Sequence, residues 1–309
     1  MNIFLLCATK RGYKFFKKIH QLVPTAKITV ISFQETEWEP KYIDAISSYA
    51  LESNSDFYLW ENIRNKKPEL FWNSKTIDLM FLVCWRYILS PKIYKISKLG
   101  TFVFHDSLLP KYRGFSPTVW AIINGENYTG VTLFKINKDI DSGEIIDQKK
   151  IDISQIDTIS EVIDRVTAGY MEILEKNIES LINNTVKKRK QNHAIATYTC
   201  KRLPSDNLIN WNASSKNIYN LIRAVTKPYS GAYTFFNEKK MIIWEAKLLD
   251  EVKNYVGRIS GRVVEIIDGE GVVIQTGDGC ILLTSVQLGN SNNVKAFKVI
   301  NKLSITLGI

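Results

Sequence analysis

Short, uninterrupted apolar runs rich in β-branched residues recur along the first hundred positions, each followed by a segment of different periodicity. They are 3–8 (IFLLCA), 27–33 (KITVISF), 77–83 (IDLMFLV) and 101–104 (TFVF). A strand without polar alternation is one covered on both faces. Between the runs, Tyr13, Phe16, Ile19 and Leu22 recur at helical spacing after Gly12, and Ile93, Tyr94, Ile96 and Leu99 mark a short helix. Strands alternating with helices predict an α/β fold with a mostly parallel sheet and helices on both faces. Such sheets bind ligands beyond the carboxyl ends of their strands.

Two further β-rich pieces follow at 129–136 (TGVTLFKI) and 144–152 (EIIDQKKID). Thr158 and Glu161 then form a capping box. It opens a long helix whose stripe carries Ile159, Val162, Ile163, Val166, Tyr170, Ile173, Leu174, Ile178 and Leu181. Asn183 and Asn184 end that helix, and the basic run KKRK occupies 187–190. At roughly 150 residues per domain, a chain of this length divides in two. The expected division is 1–184, a linker without periodicity at 185–204, and 205–309. The second domain begins with an amphipathic helix bearing Ile218, Leu221, Ile222 and Val225. Beyond Pro228, short strands punctuated by glycines predict a small barrel or sandwich.

Composition excludes several classes. A chain of 309 residues buries enough surface to fold without a disulfide or metal staple. Cys7, Cys84, Cys200 and Cys280 are scattered and form no CxxC pair, which argues against zinc or a disulfide framework. The opening MNIFLLCATKRG places its charge after its apolar stretch, the reverse of a signal peptide. The apolar run LMFLVCW at 79–85 falls far short of the ~20 residues that span a membrane. We therefore expect a cytoplasmic protein without membrane insertion or a bound metal. The charge is less ordinary: 41 Lys+Arg against 31 Asp+Glu leaves +10. That surplus favours an anionic partner, whether nucleic acid, an acidic membrane or a phosphorylated small molecule.

Of the three histidines, His20 lies in a helical segment and His193 in the linker, and both read as solvated. His105 directly follows a buried strand, where ligand-facing residues sit. Asp106-Ser107-Leu108-Leu109-Pro110 and then Lys111-Tyr112-Arg113-Gly114 follow it, an apolar loop tip with two cations behind. Asp141 occupies a turn between two strands, and a carboxylate so placed can orient a histidine held in another loop. By spacing alone, a lone His and a remote Asp also fit surface loops with no chemistry.

The run GTFVFHDSLLPKYRGFSPTVWAIINGENYTGVTLFKINKDIDSGEIIDQ (100–148) resembles the formyltransferases that use N10-formyltetrahydrofolate. Their signature joins an H-x-SLLP-x-YRG loop, a TGVT strand and a D-x-G turn. KRLPSDNLINW (201–211) and IYNLIRAVTKPYSGAYTFFNEKKMIIWEA (218–246) resemble the family's C-terminal domain, shared by enzymes that formylate initiator methionyl-tRNA and enzymes that formylate nucleotide-linked amino sugars. The resemblance implies a Rossmann-like N-terminal domain followed by an OB-like β-barrel; the sequence is silent on oligomeric state, with the barrel a candidate homodimer surface. It implies that His105 is the general base, held by Asp141. The family's Asn, which donates to the formyl oxygen, is here Val103. Losing one such donor typically costs about 100- to 1000-fold in rate. A backbone N–H, Ser107, a water or the protonated His105 then takes the contact, or the protein is a non-catalytic relative that binds folate or RNA.

For the cosubstrate folate, the resemblance implies Trp85, Arg86, Tyr87 and Ile88, with Leu109 beside them and Asp139 and Ile140 closing the other side. For the acceptor, Thr9, Lys10, Arg11 and Gly12 stand at the end of the first strand, although a solvated helix start fits them equally. In the loop, Ser107, Lys111, Tyr112 and Arg113 are candidates. Lys111 and Arg113 suit a diphosphate, and Arg113 alternatively braces its own loop. Charge distribution favours a sugar over tRNA. Positions 33–58 carry Glu35, Glu37, Glu39, Asp44, Glu52 and Asp56 against Lys41 alone, in the region where the tRNA enzymes wedge a basic loop into the acceptor stem. The turn with Arg86 and the R-x-P-x-D-x-x-I-x-W phrase resemble the sugar enzymes, which serve surface polysaccharide synthesis. A hydrolase of formylfolate is a further reading.

Overall fold

The computed structural model describes residues 1–37, 39–65, 68–251 and 253–308. The chain forms two compact units that interleave in sequence: Met1–Pro117, Tyr128–Asp152 and Ile163–Lys201 make the first, and Thr118–Asn127, Ile153–Val162 and Arg202–Ile309 the second.

In the first unit β1 (Asn2–Cys7), α1 (Thr9–Leu22), β2 (Lys27–Ser32), α2 (Ile43–Glu52), β3 (Asp56–Leu59), α3 (Trp60–Asn65), α4 (Pro68–Asn73), β4 (Leu79–Val83), α5 (Pro91–Tyr94) and β5 (Gly100–His105) follow in order. Then come the short β6 (Arg113–Gly114), α6 (Pro117–Ile123), which from Thr118 belongs to the second unit, the pair β7 (Tyr128–Lys135) and β8 (Ile145–Asp152), α7 (Ile159–Ile182), which belongs to the first unit from Ile163, and β9 (Tyr198–Thr199). The sheet runs β3-β2-β1-β4-β5-β7-β8. Its first five strands are parallel, and β7 and β8 add antiparallel.

Apolar side chains on both faces explain the unbroken runs in the sequence. On one face Phe15 of α1 meets Phe81 and Phe104 at ring separations of 5.7 and 4.9 Å, and Tyr170 of α7 meets Phe104 at 5.1 Å. On the other, Phe4, Leu6, Ile31, Met80 and Leu82 lie under Trp60, Ile63, Trp72 and Tyr94. The helix α7 starts at the expected box, with Glu161 accepting from both the N–H and the hydroxyl of Thr158. The region 43–73, which the periodicity left unassigned, folds as α2, β3, α3 and α4. Here β3 is a short edge strand buried only in part, so it lacks the apolar run that marks its neighbours.

The expected linker needs correction. Its stretch to Lys201 belongs to the first unit. Arg189 exchanges two backbone hydrogen bonds with Ile145, and β9 pairs in parallel with β6. Backbone pairing, invisible to side-chain periodicity, holds it.

The second unit contains α8 (Ser215–Val225), capped by Ser214, and the strands β10 (Ala232–Phe236), β11 (Lys239–Leu248), β12 (Val263–Ile267), β13 (Gly271–Gln275), β14 (Cys280–Leu288) and β15 (Val294–Lys295). They form an antiparallel sheet in the order β10-β11-β14-β13-β12, with β15 on β14. Residues 305–308 join its two edges. The Val263 N–H donates to the Ile305 carbonyl and the Leu307 N–H to that of Gly261, while the Gly308 N–H reaches Phe235 on β10. The unit also recruits 153–162, because the buried Arg223 donates to the carbonyls of Ser154 and Asp157. Among the described residues, no helix is long and apolar enough to cross a membrane.

Candidate active site

Strand β5 ends at His105, which is 8% exposed. Alternation along the strand places Phe102 and Phe104 on the face toward α1 and α7, and Val103 and His105 on the opposite one. Nε2 of His105 lies 2.8 Å from the Tyr112 carbonyl. A carbonyl only accepts, so Nε2 carries the proton, and Nδ1 is the lone-pair nitrogen of the neutral ring. Nδ1 stands 3.6 Å from Oδ2 of Asp141. The same Oδ2 accepts the Gly114 N–H at 2.8 Å. At Gly114, φ is +105°, and an added Cβ would come within 2.5 Å of the Thr199 carbonyl, so only glycine presents its N–H there. The arrangement can take a proton at Nδ1 and hold it against the carboxylate.

The loop between His105 and Tyr112 is rigid through one hydroxyl. Thr132 on β7 donates to the Ser107 carbonyl at 2.6 Å and accepts from the Leu109 N–H at 3.1 Å and Gln148 Nε2 at 2.8 Å. Leu109 packs with Phe134, Ile145 and Val103, which explains an apolar residue at the loop tip. Ser107 is 2% exposed, and its hydroxyl donates to the Lys111 carbonyl at 2.6 Å. It is therefore engaged within the loop rather than presented as a replacement donor. Val103 is half-buried and packs against apolar neighbours on both sides.

The structure corrects the placement of Arg11 and decides between the two readings of Arg113. The Arg11 guanidinium is buried, with Nη1 at 2.5 Å from Asp106 and Nε at 3.2 Å from the Thr167 hydroxyl. Tyr170 also donates to Asp106 and stacks under Arg11. Burial alone would raise the Asp106 carboxyl, but Arg11 and Tyr170 hold it below the usual range. Arg113 is 1% exposed and donates to Gln191 Oε1 and the Tyr198 hydroxyl. Of the two readings of Arg113, this placement is the brace. Lys10 and Lys111 are exposed, Thr9 and Tyr112 half-buried, and Gly12 lies in close contact with Cys7. His193 is exposed, as expected, with Nδ1 accepting from Arg113 at 3.1 Å, whereas His20 is half-buried and meets the Tyr49 hydroxyl at 2.9 Å.

On the folate side, Trp85 and Tyr87 join Phe33 and Trp60 in an aromatic cluster with ring separations of 5.3–5.8 Å. Arg86 lies 4.0 Å over Phe33 and pairs with Glu39 at 3.1 Å. Burial works against the Glu39 charge, yet hydrogen bonds from Thr36 and the cation Arg86 hold its carboxyl low. Glu35 is also turned inward, at 4% exposure, so the exposed acids of the 33–58 stretch are Glu37, Asp44 and Glu52. Ile88 and Ile140 stand out as apolar chains 81% and 51% exposed, and the indole N–H of Trp85 is buried without a partner. Asp139 is exposed beside Ile140. Among the described residues, no three His, Cys, Asp or Glu side chains gather as metal ligands.

Residues 45–178 match the family description "Formyl transferase", and 203–304 match "Formyl transferase, C-terminal domain". A methionyl-tRNA formyltransferase of Fusobacterium nucleatum subsp. nucleatum is 30% identical over 85% of this chain and 84% of its own length. The chain belongs to the formyltransferase family. It is also 34% identical to the bifunctional polymyxin resistance protein ArnA of Wigglesworthia glossinidia brevipalpis, over 97% of this chain but only 45% of that relative. The chain thus spans less than half the length of that bifunctional protein. The solved N-formyltransferase of Helicobacter canadensis, in complex with folinic acid and dTDP-3-aminofucose, superposes with a TM-score of 0.70. The two are 25% identical, and the match covers 91% of this chain and 98% of that one.

Gln191 and Thr132 were not singled out by sequence reading. Thr132 lies within the TGVT strand of the resemblance, which does signal it, whereas Gln191 follows the basic run in a stretch without periodicity and carries no local mark.

Proposed function

We propose that this protein moves the formyl group of N10-formyltetrahydrofolate onto the amine of a nucleotide-linked amino sugar. The observation that carries the reading is Nδ1 of His105 facing Asp141 across 3.6 Å, with Nε2 turned to the Tyr112 carbonyl, at the end of a central strand. The neutral acceptor amine attacks the formyl carbon, and its nitrogen loses a proton to Nδ1, which faces Asp141. The imidazolium passes that proton to N10 as the carbon–N10 bond breaks and tetrahydrofolate leaves. The tetrahedral intermediate carries charge on the former formyl oxygen. Val103 has no donor for it and Ser107 is engaged, so the contact falls to a backbone N–H, a water or the protonated imidazole. Ile88 and Ile140 are exposed apolar surfaces that a pterin ring would cover.

The sugar acceptor is supported by the neighbour in complex with dTDP-3-aminofucose and by the exposed acids Glu37, Asp44 and Glu52, which would repel a phosphate backbone. The relative that formylates methionyl-tRNA gives the second reading. The test is one panel: N10-formyltetrahydrofolate with dTDP-, UDP- and GDP-linked amino sugars and with charged initiator tRNA, products read by mass spectrometry. A formylated sugar, lost in His105→Ala, is expected. Formylated methionyl-tRNA alone would replace the substrate, folate turnover without an acceptor product would indicate hydrolysis, and full activity of His105→Ala would remove the proposed base.

A further inference from the structure

Gln191 sits on neither loop of the candidate dyad, yet it connects them. It is 6% exposed. Its Nε2 donates to the Asp141 carbonyl at 2.9 Å and to the Gly143 carbonyl at 2.7 Å. Its Oε1 accepts from Nε and Nη2 of Arg113 at 3.2 and 2.6 Å. All four hydrogen bonds that a side-chain amide can make are therefore formed.

The partners lie at informative places. Arg113 stands between the Tyr112 carbonyl, which holds Nε2 of His105, and the Gly114 N–H, which holds the Asp141 carboxylate. Asp141 itself has φ +47°, a left-handed conformation that its turn must sustain against the preference of an ordinary residue. Pinning the carbonyls of 141 and 143 keeps that turn from rotating. The circuit closes: His105, Tyr112, Arg113, Gln191, Asp141 and back to His105. Gln191 is placed in it by the Arg189–Ile145 backbone pair two residues before.

We propose that Gln191 is a positioning residue, which fixes the Asp141 turn relative to His105 by tying it to Arg113. This rests on the roles given to His105 and Asp141 above. Only an amide suits the position, because it must donate to two carbonyls and accept from a guanidinium at once. A carboxylate of the same length keeps Arg113 and loses both donations.

The first test needs no acceptor. Ring ¹⁵N NMR of the full chain, at a pH where imidazoles are neutral, should show His105 (assigned by its loss in His105→Ala) as the Nε2–H tautomer. Gln191→Met and Gln191→Glu should both turn this into an average of two tautomers. With the best acceptor of the panel, both variants should lower kcat by about 10- to 100-fold, the cost of a small misplacement. The KM for N10-formyltetrahydrofolate should stay within about twofold. On an Asp141→Asn background, Gln191→Met should change kcat by less than about twofold, because residues acting through one another do not add. An unchanged ring spectrum, full activity of Gln191→Glu, or losses that multiply on that background would each overturn the inference while His105→Ala stays inactive. An active His105→Ala would instead overturn the dyad reading on which the inference rests.

Discussion

His105 stands between two aspartates that do opposite things. Asp106 is its neighbour in sequence, but strand alternation sends that side chain to the other face of the sheet, where Arg11 and Tyr170 enclose it. Asp141 is far away in sequence, and a tight turn brings it to 3.6 Å from the ring. Asp106 is saturated with donors, and its charge is spent on holding α1 and α7 against the end of β5. Asp141 has one oxygen taken by the Gly114 N–H and faces a lone pair. Adjacency in sequence thus selects the structural carboxylate, and adjacency in space the chemical one.

The largest contrast should come from removing the Asp141 charge. Asp141→Asn keeps an acceptor for Gly114 and should lower kcat by about 100- to 10,000-fold, the span of general acid–base catalysis, with little change in Tm. Steady-state kinetics beside thermal unfolding will separate the two effects. Asp106→Ala should reverse the pattern. It leaves the Arg11 guanidinium buried without its anion and should cost about 3 kcal/mol in stability, while kcat falls less than about tenfold.

The pH dependence follows from the lowered Asp106 carboxyl. The unfolded chain binds this proton more readily, so the stabilisation is complete above the ordinary aspartate value of about 3.9 and is lost as pH falls through the depressed one. Urea unfolding between pH 7 and 3 should show an acid-side slope that Asp106→Asn makes shallower. The smallest effect is expected at Val103. Val103→Asn restores a donor on the His105 face and should leave kcat equal or higher, at a stability cost of about 1–3 kcal/mol for a polar group set among apolar neighbours.

What the sequence disclosed divides along the same line. The strands β1, β2, β4 and β5 were legible because both faces are covered, and α7 because its stripe and its Thr158–Glu161 box agree. The dyad was legible through the resemblance, since spacing alone left it open. Arg11 was misplaced as a free cation, and the two readings of Arg113 stayed open, because a sequence displays charges without their partners. Asp106 hid behind His105, and Gln191 lay in a stretch that periodicity assigned to a linker. Nothing local to a position reports that a distant amide will meet it.

The strip at 305–308 has a consequence for handling the protein. By bonding at the start of β12 and at Phe235 of β10, it covers part of each row of backbone groups that an open antiparallel sheet would present to another molecule, the β10 row being shared with Leu208 and Ile209. Cutting the chain before Ile305 would open the β12 edge and leave the outer edge of β10 held at Tyr233 alone, so such a truncation should raise the tendency to intermolecular β-pairing even where the N-terminal unit stays folded.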